Sequence, residues 1–166
     1  LGYQSKKIAD ELDKLKFDYK AIIQNKLNGT AKGLEKGLSL LEDSTKNILV
    51  LFGDDAGLYK PKSIIDFVKN HIKNKNKATF MIMKCDTISD IGGLEVDDEM
   101  NILGVKTMSQ IIESNESKHY VLCGAFCFDK NWIKSFIKQV KINPKSKEYP
   151  LPQIIQIAKD NKIKIK

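Results

Sequence analysis

The sequence contains no arginine: all 28 of its basic residues are lysine. Sequence-specific base readout and bidentate phosphate clamps rest largely on the planar guanidinium fork. The net charge of +7 therefore suits anionic small ligands better than a particular nucleic-acid sequence, and no specific nucleic-acid partner is expected. The densest lysine cluster, Lys73-Asn74-Lys75-Asn76-Lys77, falls between a helix pattern and a strand pattern and reads as a solvated loop. Cysteine is scarce too. Cys85, Cys123 and Cys127 are odd in number and not closely paired, which argues against a disulfide framework. Cys123 and Cys127 stand four apart on a strand pattern, not in a zinc-type C-x-x-C pair, so buried thiols are expected. His71 and His119 are too far apart to show metal-ligand spacing, and both read as structural. No apolar run approaches the roughly 20 residues that would cross a bilayer. Lys6, Lys7, Asp10 and Glu11 interrupt any apolar signal segment at the start. A cytoplasmic protein without a membrane partner is expected.

What is present is an ordinary globular composition, 42 % hydrophobic and 30 % charged over 166 residues. That is enough for one domain, residues 1–166, with a proper core. Ile8, Leu12 and Leu15 repeat at helical spacing, so Ser5 to Leu15 is predicted to be a helix. Tyr19 to Ile23 reads as a short strand, Thr30 to Leu41 as a helix, and Asn47 to Phe52 as a strand. Pro61 suits the first turn of a helix whose buried stripe is expected at Pro61, Ile65, Val68 and Ile72. Further strands are expected at Ala78–Met83, Gly93–Val96, Ile102–Lys106 and Tyr120–Phe128. The acidic run Asp97-Asp98-Glu99-Met100-Asn101 between two of them reads as a hairpin turn. Trp132 to Val140 and Pro152 to Asp160 read as helices, and Ile163–Ile165 as a last short strand. Strands alternating with helices predict an α/β fold with a mostly parallel sheet.

One junction invites chemistry. The apolar run Ile48 to Phe52 stops at Gly53-Asp54-Asp55. In open parallel sheets ligands bind beyond the carboxyl ends of the strands. Gly53 allows a sharp turn there, and a carboxylate at that end suits Mg²⁺, which takes one or two protein carboxylates plus phosphate oxygens. The plain alternative is that Asp54 and Asp55 cap the following turn. A second stretch, Gln24 to Leu34, joins a strand pattern to a helix start. Gly29 and Thr30 stand where backbone N–H groups and a hydroxyl could meet a nucleotide, although Thr30 or Asn28 could equally be a helix cap.

Together these stretches, a Gln-x(n)-Leu-x-Gly-Thr-Ala turn before a helix and an apolar strand ending in Gly-Asp, resemble the sugar-1-phosphate nucleotidyltransferases. The closest likeness is to the uridyltransferase domain that acts on N-acetylglucosamine 1-phosphate. Ile91-Gly92-Gly93-Leu94, Cys123-Gly124-Ala125-Phe126 and Glu148-Tyr149-x-Leu151 resemble further segments of that family in the same order. The resemblance implies a Rossmann-like, mostly parallel mixed sheet flanked by helices. It implies transfer of a nucleotidyl group from a nucleoside triphosphate, UTP by the closest likeness, to a sugar 1-phosphate, with Mg²⁺ as cofactor. It implies that Asp54 binds the catalytic metal and that Gln24, Gly29, Thr30 and Gly53 meet the nucleotide. Gly92, Gly93 and Glu148 would meet the sugar, and Asn143 would be a second metal ligand.

The family's Gly-x-Gly-[Thr/Ser]-Arg loop and following lysine, which wrap the triphosphate, have no counterpart in this sequence. Leu1-Gly2-Tyr3 resembles the end of the family's second strand, so the chain is expected to be an N-terminally truncated version of the fold with little transferase activity of its own. An unfilled sheet position invites pairing with another chain, and a homo-oligomer is one expectation. Two further readings stay open: a nucleotide-binding or regulatory module of the same fold, and a metal-dependent glycosyltransferase using Asp54 and Asp55.

Overall fold

The computed structural model describes residues 1–16, 18–86, 93–114 and 117–166. Its elements, in chain order, are α1 (Ser5–Lys14), α2 (Thr30–Leu38), β1 (Asn47–Leu51), α3 (Pro61–Lys73), β2 (Ala78–Cys85), β3 (Gly93–Val96), β4 (Ile102–Lys106), α4 (Met108–Glu113), β5 (His119–Asp129), α5 (Lys130–Phe136) and α6 (Ile154–Asp160). The α/β class is as expected, with helices flanking a five-stranded sheet.

The strand directions are not. Every ladder among the described strands is antiparallel. β1, α3 and β2 do form a strand–helix–strand unit, and β1 and β2 do run the same way. They are not neighbours, however, because β5 lies between them. It pairs with β1 from Asn47↔Asp129 to Leu51↔Ala125 and with β2 from Ala78↔Phe128 to Cys85↔His119. A strand that starts only at His119, after 33 intervening residues, splits the unit and reverses both pairings. β3 and β4 form the expected hairpin, and β3 joins β5 at Leu94↔Tyr120. The acidic run is its turn. The Asp97 carboxylate accepts the N–H groups of Glu99 and Asn101 and the Asn101 side-chain amide. Those bonds, the Asn101 side chain foremost, hold that carboxyl below the usual range.

β5 can sit at the centre because its sequence is apolar on both faces. Phe126 and Phe128 are 1 % and 0 % exposed, and their rings meet Phe80 edge-on at 5.5 and 5.9 Å. Trp132 stacks on Phe128 at 6.1 Å. Ile133, Leu151, Ile154, Ile155 and Ala158 close the core from α5, α6 and the turn between them. The Cys127 thiol is pushed up to about 12 by burial, so it is an inert apolar group.

Several elements differ from the expectation for physical reasons. Tyr19–Ile23 is not a strand. Leu1 makes a ladder-like contact with it: the Leu1 ammonium donates to the Ile22 carbonyl at 2.7 Å while the Gln24 N–H donates back to the Leu1 carbonyl at 2.7 Å. One residue of partner does not make a ladder. In α3, Ile65 and Ile72 are 51 % and 52 % exposed, and the inward residues are Ile64, Phe67, Val68 and His71. His71 sets that phase. Its imidazole is buried, with Nδ1 2.8 Å from the Thr79 hydroxyl and Nε2 3.2 Å from the Asn47 carboxamide oxygen, which ties α3 to β1 and β2. Ile163–Ile165 is not a regular strand, yet the tail does close an edge: the Lys166 N–H donates to Ala78 at 3.1 Å and Ile102 donates to Ile165 at 3.0 Å. α4 was not expected, although Thr107 and Gln110 form the capping box that marks a helix start. Among the described residues no helix is long and apolar enough to cross a membrane.

Candidate functional site

The turn after β1 separates the two carboxylates. The Phe52 carbonyl accepts from Asp55 at 3.2 Å and from Ala56 at 2.9 Å, which coils the chain back on itself. This turns Asp55 toward β5, where its carboxylate accepts the Gly124 N–H at 3.2 Å, beside the Phe52 N–H bond to the Gly124 carbonyl at 2.7 Å. Gly124 has to be glycine here, because an added Cβ would run into the Asp55 carboxylate and lie 2.8 Å from Phe52 Cβ. Burial first, and then the Asp55 carboxylate, push both the Tyr59 phenol and the Cys123 thiol above their ordinary values. Asp55 is thus a latch. Asp54, one residue earlier, is exposed and makes no hydrogen bond or ion pair among the described residues.

Asp54 and Gly53 stand at one end of a cleft of about 690 Å³ whose other walls include Gln24, Thr30, Gly33, Leu34 and Leu1. The structure therefore brings together four residues singled out in the sequence: Gln24, Thr30, Gly53 and Asp54. Gly29 sits beside them as the residue before α2, with φ +103°, a left-handed conformation that favours glycine. Its surroundings demand glycine as well, since a Cβ would lie 2.6 Å from the Tyr149 nitrogen and oxygen. The two segments interlock through Tyr149 N–H to Asn28 O at 2.8 Å, Ala31 N–H to Tyr149 O at 2.9 Å, and Leu151 N–H to the Thr30 hydroxyl oxygen at 2.9 Å. Thr30 is not the helix cap; it is the first helical residue, and its hydroxyl belongs to this interlock. The Gln24 amide donates to Asn28 Oδ1 at 2.8 Å and to Gly29 O at 3.1 Å. Its oxygen lies close to Gly33, 3.4 Å from where a Cβ there would stand.

Other expected site residues lie elsewhere. Asn143 does not line the cleft: its side-chain oxygen accepts the N–H groups of Lys145 at 2.8 Å and Ser146 at 3.3 Å and shapes the 143–148 loop. Glu148 is exposed, and its carbonyl accepts the Asn143 N–H at 2.7 Å. Gly93 is buried at the start of β3 against Ile111. Gly92 lies outside the described residues. The sequence reading missed the Asp55–Gly124 latch and the backbone interlock at Tyr149. The first had no signal beyond the Gly in Cys123-Gly124-Ala125; the second could have been sought where Gly29 precedes a helix.

No cluster of three or more His, Cys, Asp or Glu that could hold a metal occurs among the described residues. The cleft offers one carboxylate and the neutral oxygens of Gln24 and Thr30. That all-oxygen, single-carboxylate set fits Mg²⁺, which keeps waters and ligand phosphates in most of its positions, and it does not suit a metal that needs sulfur or imidazole.

The nucleotidyl transferase family model matches residues 3–164. Among curated relatives, the bifunctional protein GlmU of Clostridium perfringens is 25 % identical over 140 residues, covering 82 % of this chain and 30 % of the relative. That of Mycobacterium avium is 21 % identical over 159 residues, covering 96 % and 32 %. The chain thus spans about a third of the length of these relatives. Among solved structures, HddC from Yersinia pseudotuberculosis complexed with GMP-PN superposes with a TM-score of 0.62 at 16 % identity, over 92 % of this chain and 60 % of that one. The 4-diphosphocytidyl-2C-methyl-D-erythritol synthase of Anaerococcus prevotii superposes at 0.59 and 15 % identity, over 99 % and 67 %. With a family model spanning nearly every residue and the nucleotide-diphospho-sugar transferase fold in its structural neighbours, the chain belongs to the nucleotidyl transferase family.

Proposed function

We propose that this chain carries the nucleotide-facing part of a sugar-1-phosphate nucleotidyltransferase. One observation supports this above the rest: the Asp54 carboxylate stands exposed just beyond β1, with no hydrogen bond or ion pair among the described residues, in the same cleft as Gln24 and Thr30. Its neighbour Asp55, by contrast, is held by the Gly124 N–H. In the reaction, an oxygen of the sugar 1-phosphate bonds to the α-phosphorus of the triphosphate, and the bond to the pyrophosphate oxygen breaks. Such transfers depend mainly on alignment and on stabilising charge. Asp54 would hold the Mg²⁺, which when bound neutralises phosphate charge. Gln24, through its amide oxygen, and the backbone at Gly29, Thr30 and Gly53 would fix the nucleotide, UTP by the sequence likeness. Gly92, Gly93 and Glu148 are assigned to the sugar and Asn143 to a second metal contact by resemblance alone.

Titration calorimetry with UTP in Mg²⁺ and in EDTA tests the reading. The wild-type chain is expected to bind only with Mg²⁺, and Asp54→Ala is expected to lose that binding at unchanged melting temperature. Equal affinity with and without metal would replace the enzyme reading with the binding-module reading. That alternative has one observation in its favour: no lysine is among the described residues that line the cleft. One preorganised donor is worth about 2.7–4 kcal/mol to such a transition state. The chain by itself is accordingly expected to show little or no nucleotide-sugar synthesis, and measurable product from this chain would overturn that expectation.

A further inference from the structure

The ladder between β1 and β5 ends on a substituted rung. In an antiparallel pair, every second pair of opposite residues exchanges both of its N–H···O bonds. Carried one residue past Leu51↔Ala125, the register sets Phe52 opposite Gly124, and the Phe52 N–H does donate to the Gly124 carbonyl at 2.7 Å. The reciprocal bond of an ordinary rung would run from the Gly124 N–H to the Phe52 carbonyl. In its place, the Phe52 carbonyl accepts from Asp55 at 3.2 Å and from Ala56 at 2.9 Å, and the Asp55 carboxylate accepts the Gly124 N–H at 3.2 Å. A side-chain oxygen thus does the work of a main-chain one, three residues further along.

The substitution decides where the chain leaves the sheet. With its carbonyl released from the rung, Phe52 is free to close a turn, and Gly53 and Asp54 ride on that turn. Gly124 ties it at both ends, through Phe52 N–H and through Asp55. Without an acceptor at position 55, the Gly124 N–H is left to the Phe52 carbonyl, which restores the ordinary rung, opens the turn and lengthens β1. Gly53 does not resist, since a Cβ there would meet nothing within 4 Å. One strand residue is a rise of about 3.3 Å. A ligand of Mg²⁺ has to stand about 2.0–2.1 Å from the ion in near-ideal octahedral geometry. A shift of one strand residue therefore takes the Asp54 carboxylate out of reach.

We propose that Asp55 is the positioning residue for Asp54: by replacing the Phe52 carbonyl as acceptor of the Gly124 N–H, it holds the turn that presents the Asp54 carboxylate to the nucleotide cleft. Asp55 acts through this bond and not through its charge, and it does not touch the metal. The inference rests on the reading of Asp54 as the ligand of a nucleotide-bound Mg²⁺, and the experiment separates the two.

The test titrates UTP in Mg²⁺ into the intact chain and its variants by calorimetry. Asp54→Ala is expected to lose binding. Asp55→Ala is expected to weaken it about tenfold or more, the effect of one charge-assisted hydrogen bond. Asp55→Asn removes the charge but keeps an oxygen for the Gly124 N–H, and should stay within about threefold of the wild type. Asp55→Ser, whose shorter side chain falls short of Gly124, should behave as Asp55→Ala does and replaces it if that variant melts too early to titrate. In the nucleotide-free chain, amide exchange resolved by nuclear magnetic resonance should quicken about tenfold at Ala56 in Asp55→Ala and stay unchanged in Asp55→Asn. Loss of binding in Asp54→Ala with full binding in Asp55→Ala would overturn the positioning role alone. An Asp55→Asn variant as weak as Asp55→Ala would overturn it too, and would make Asp55 a second carboxylate on the metal. No binding by the wild type, or full binding by Asp54→Ala, would overturn the Asp54 reading and this inference with it.

Discussion

The two ends of this chain are built to different standards. From Ala31 onward the described residues supply the whole core, and in β5 and α6 side chains such as Phe128, Ile154 and Ile155 reach 0 % exposure. Among the described residues before Ala31 none is buried, and α1 contributes no buried side chain at all. Tyr3, Leu15, Ile23 and Leu27 are each more than half exposed. Yet Gln24 and the Gly29–Thr30 turn, half of the candidate site, hang on the poorly packed end, while Asp54 stands on the well-packed one. The site straddles a boundary in stability. Segments with few buried contacts open locally at low free energy, so the Gln24 side of the cleft is expected to be far less fixed than Asp54.

The largest effect that would sharpen this contrast is in the core. Phe128→Ala removes a ring that touches Phe80, Phe126 and Trp132 and is expected to cost about 3–5 kcal/mol in urea unfolding. Next comes the seam between the two ends. Gly29→Ala forces a side chain into the left-handed region and against Tyr149, and should cost about 2 kcal/mol. Its melting temperature should fall, and the amides of residues 149–151 should exchange faster. Smaller is a pH effect from His71. Burial, opposed by the Asp129 charge, lowers its imidazole below the ordinary value. The unfolded chain therefore binds that proton more readily, so the contribution to stability is complete above about pH 6.5 and is lost as pH falls toward the depressed folded value. Urea midpoints at pH 7.5 and 5.5 should differ less in His71→Gln than in the wild type. Smallest is Leu15→Ala, expected within about 0.5 kcal/mol of wild type. A loss comparable to Phe128→Ala would mean the two ends fold as one unit.

The sequence made the elements legible where periodicity alone decides them. β1, the proline start of α3, the β3–β4 hairpin and the apolar length of β5 were all readable. Their neighbours were not. Nothing local to Asn47–Leu51 or Ala78–Cys85 reveals that β5 will lie between them, because a strand buried on both faces reads the same whichever way its partners run. The phase of α3 went wrong because hydrophobic counting weighs Ile65 and Ile72 above a histidine, and His71 wins through two hydrogen bonds. In the site, Asp54 was legible because a carboxylate that ends a buried strand is out of place. Asp55 was legible only as its companion, since its partner Gly124 is 69 residues away. Asn143 stands as a ligand by resemblance alone, and in the structure its oxygen accepts the Lys145 and Ser146 N–H groups of the 143–148 loop.

Trp132 is the only tryptophan. It is 7 % exposed, stacked on Phe128 and tilted against Phe136, with an indole N–H that finds no hydrogen-bond partner among the described residues. Its emission should therefore sit at the blue end of the range and report only on the β5–α5 core. A nucleotide added to the cleft would leave that signal flat even when bound. In denaturant the same fluorescence would miss the melting of α1, which far-ultraviolet circular dichroism would register first. The gap between those two transition curves measures how separately the two ends of the molecule come apart.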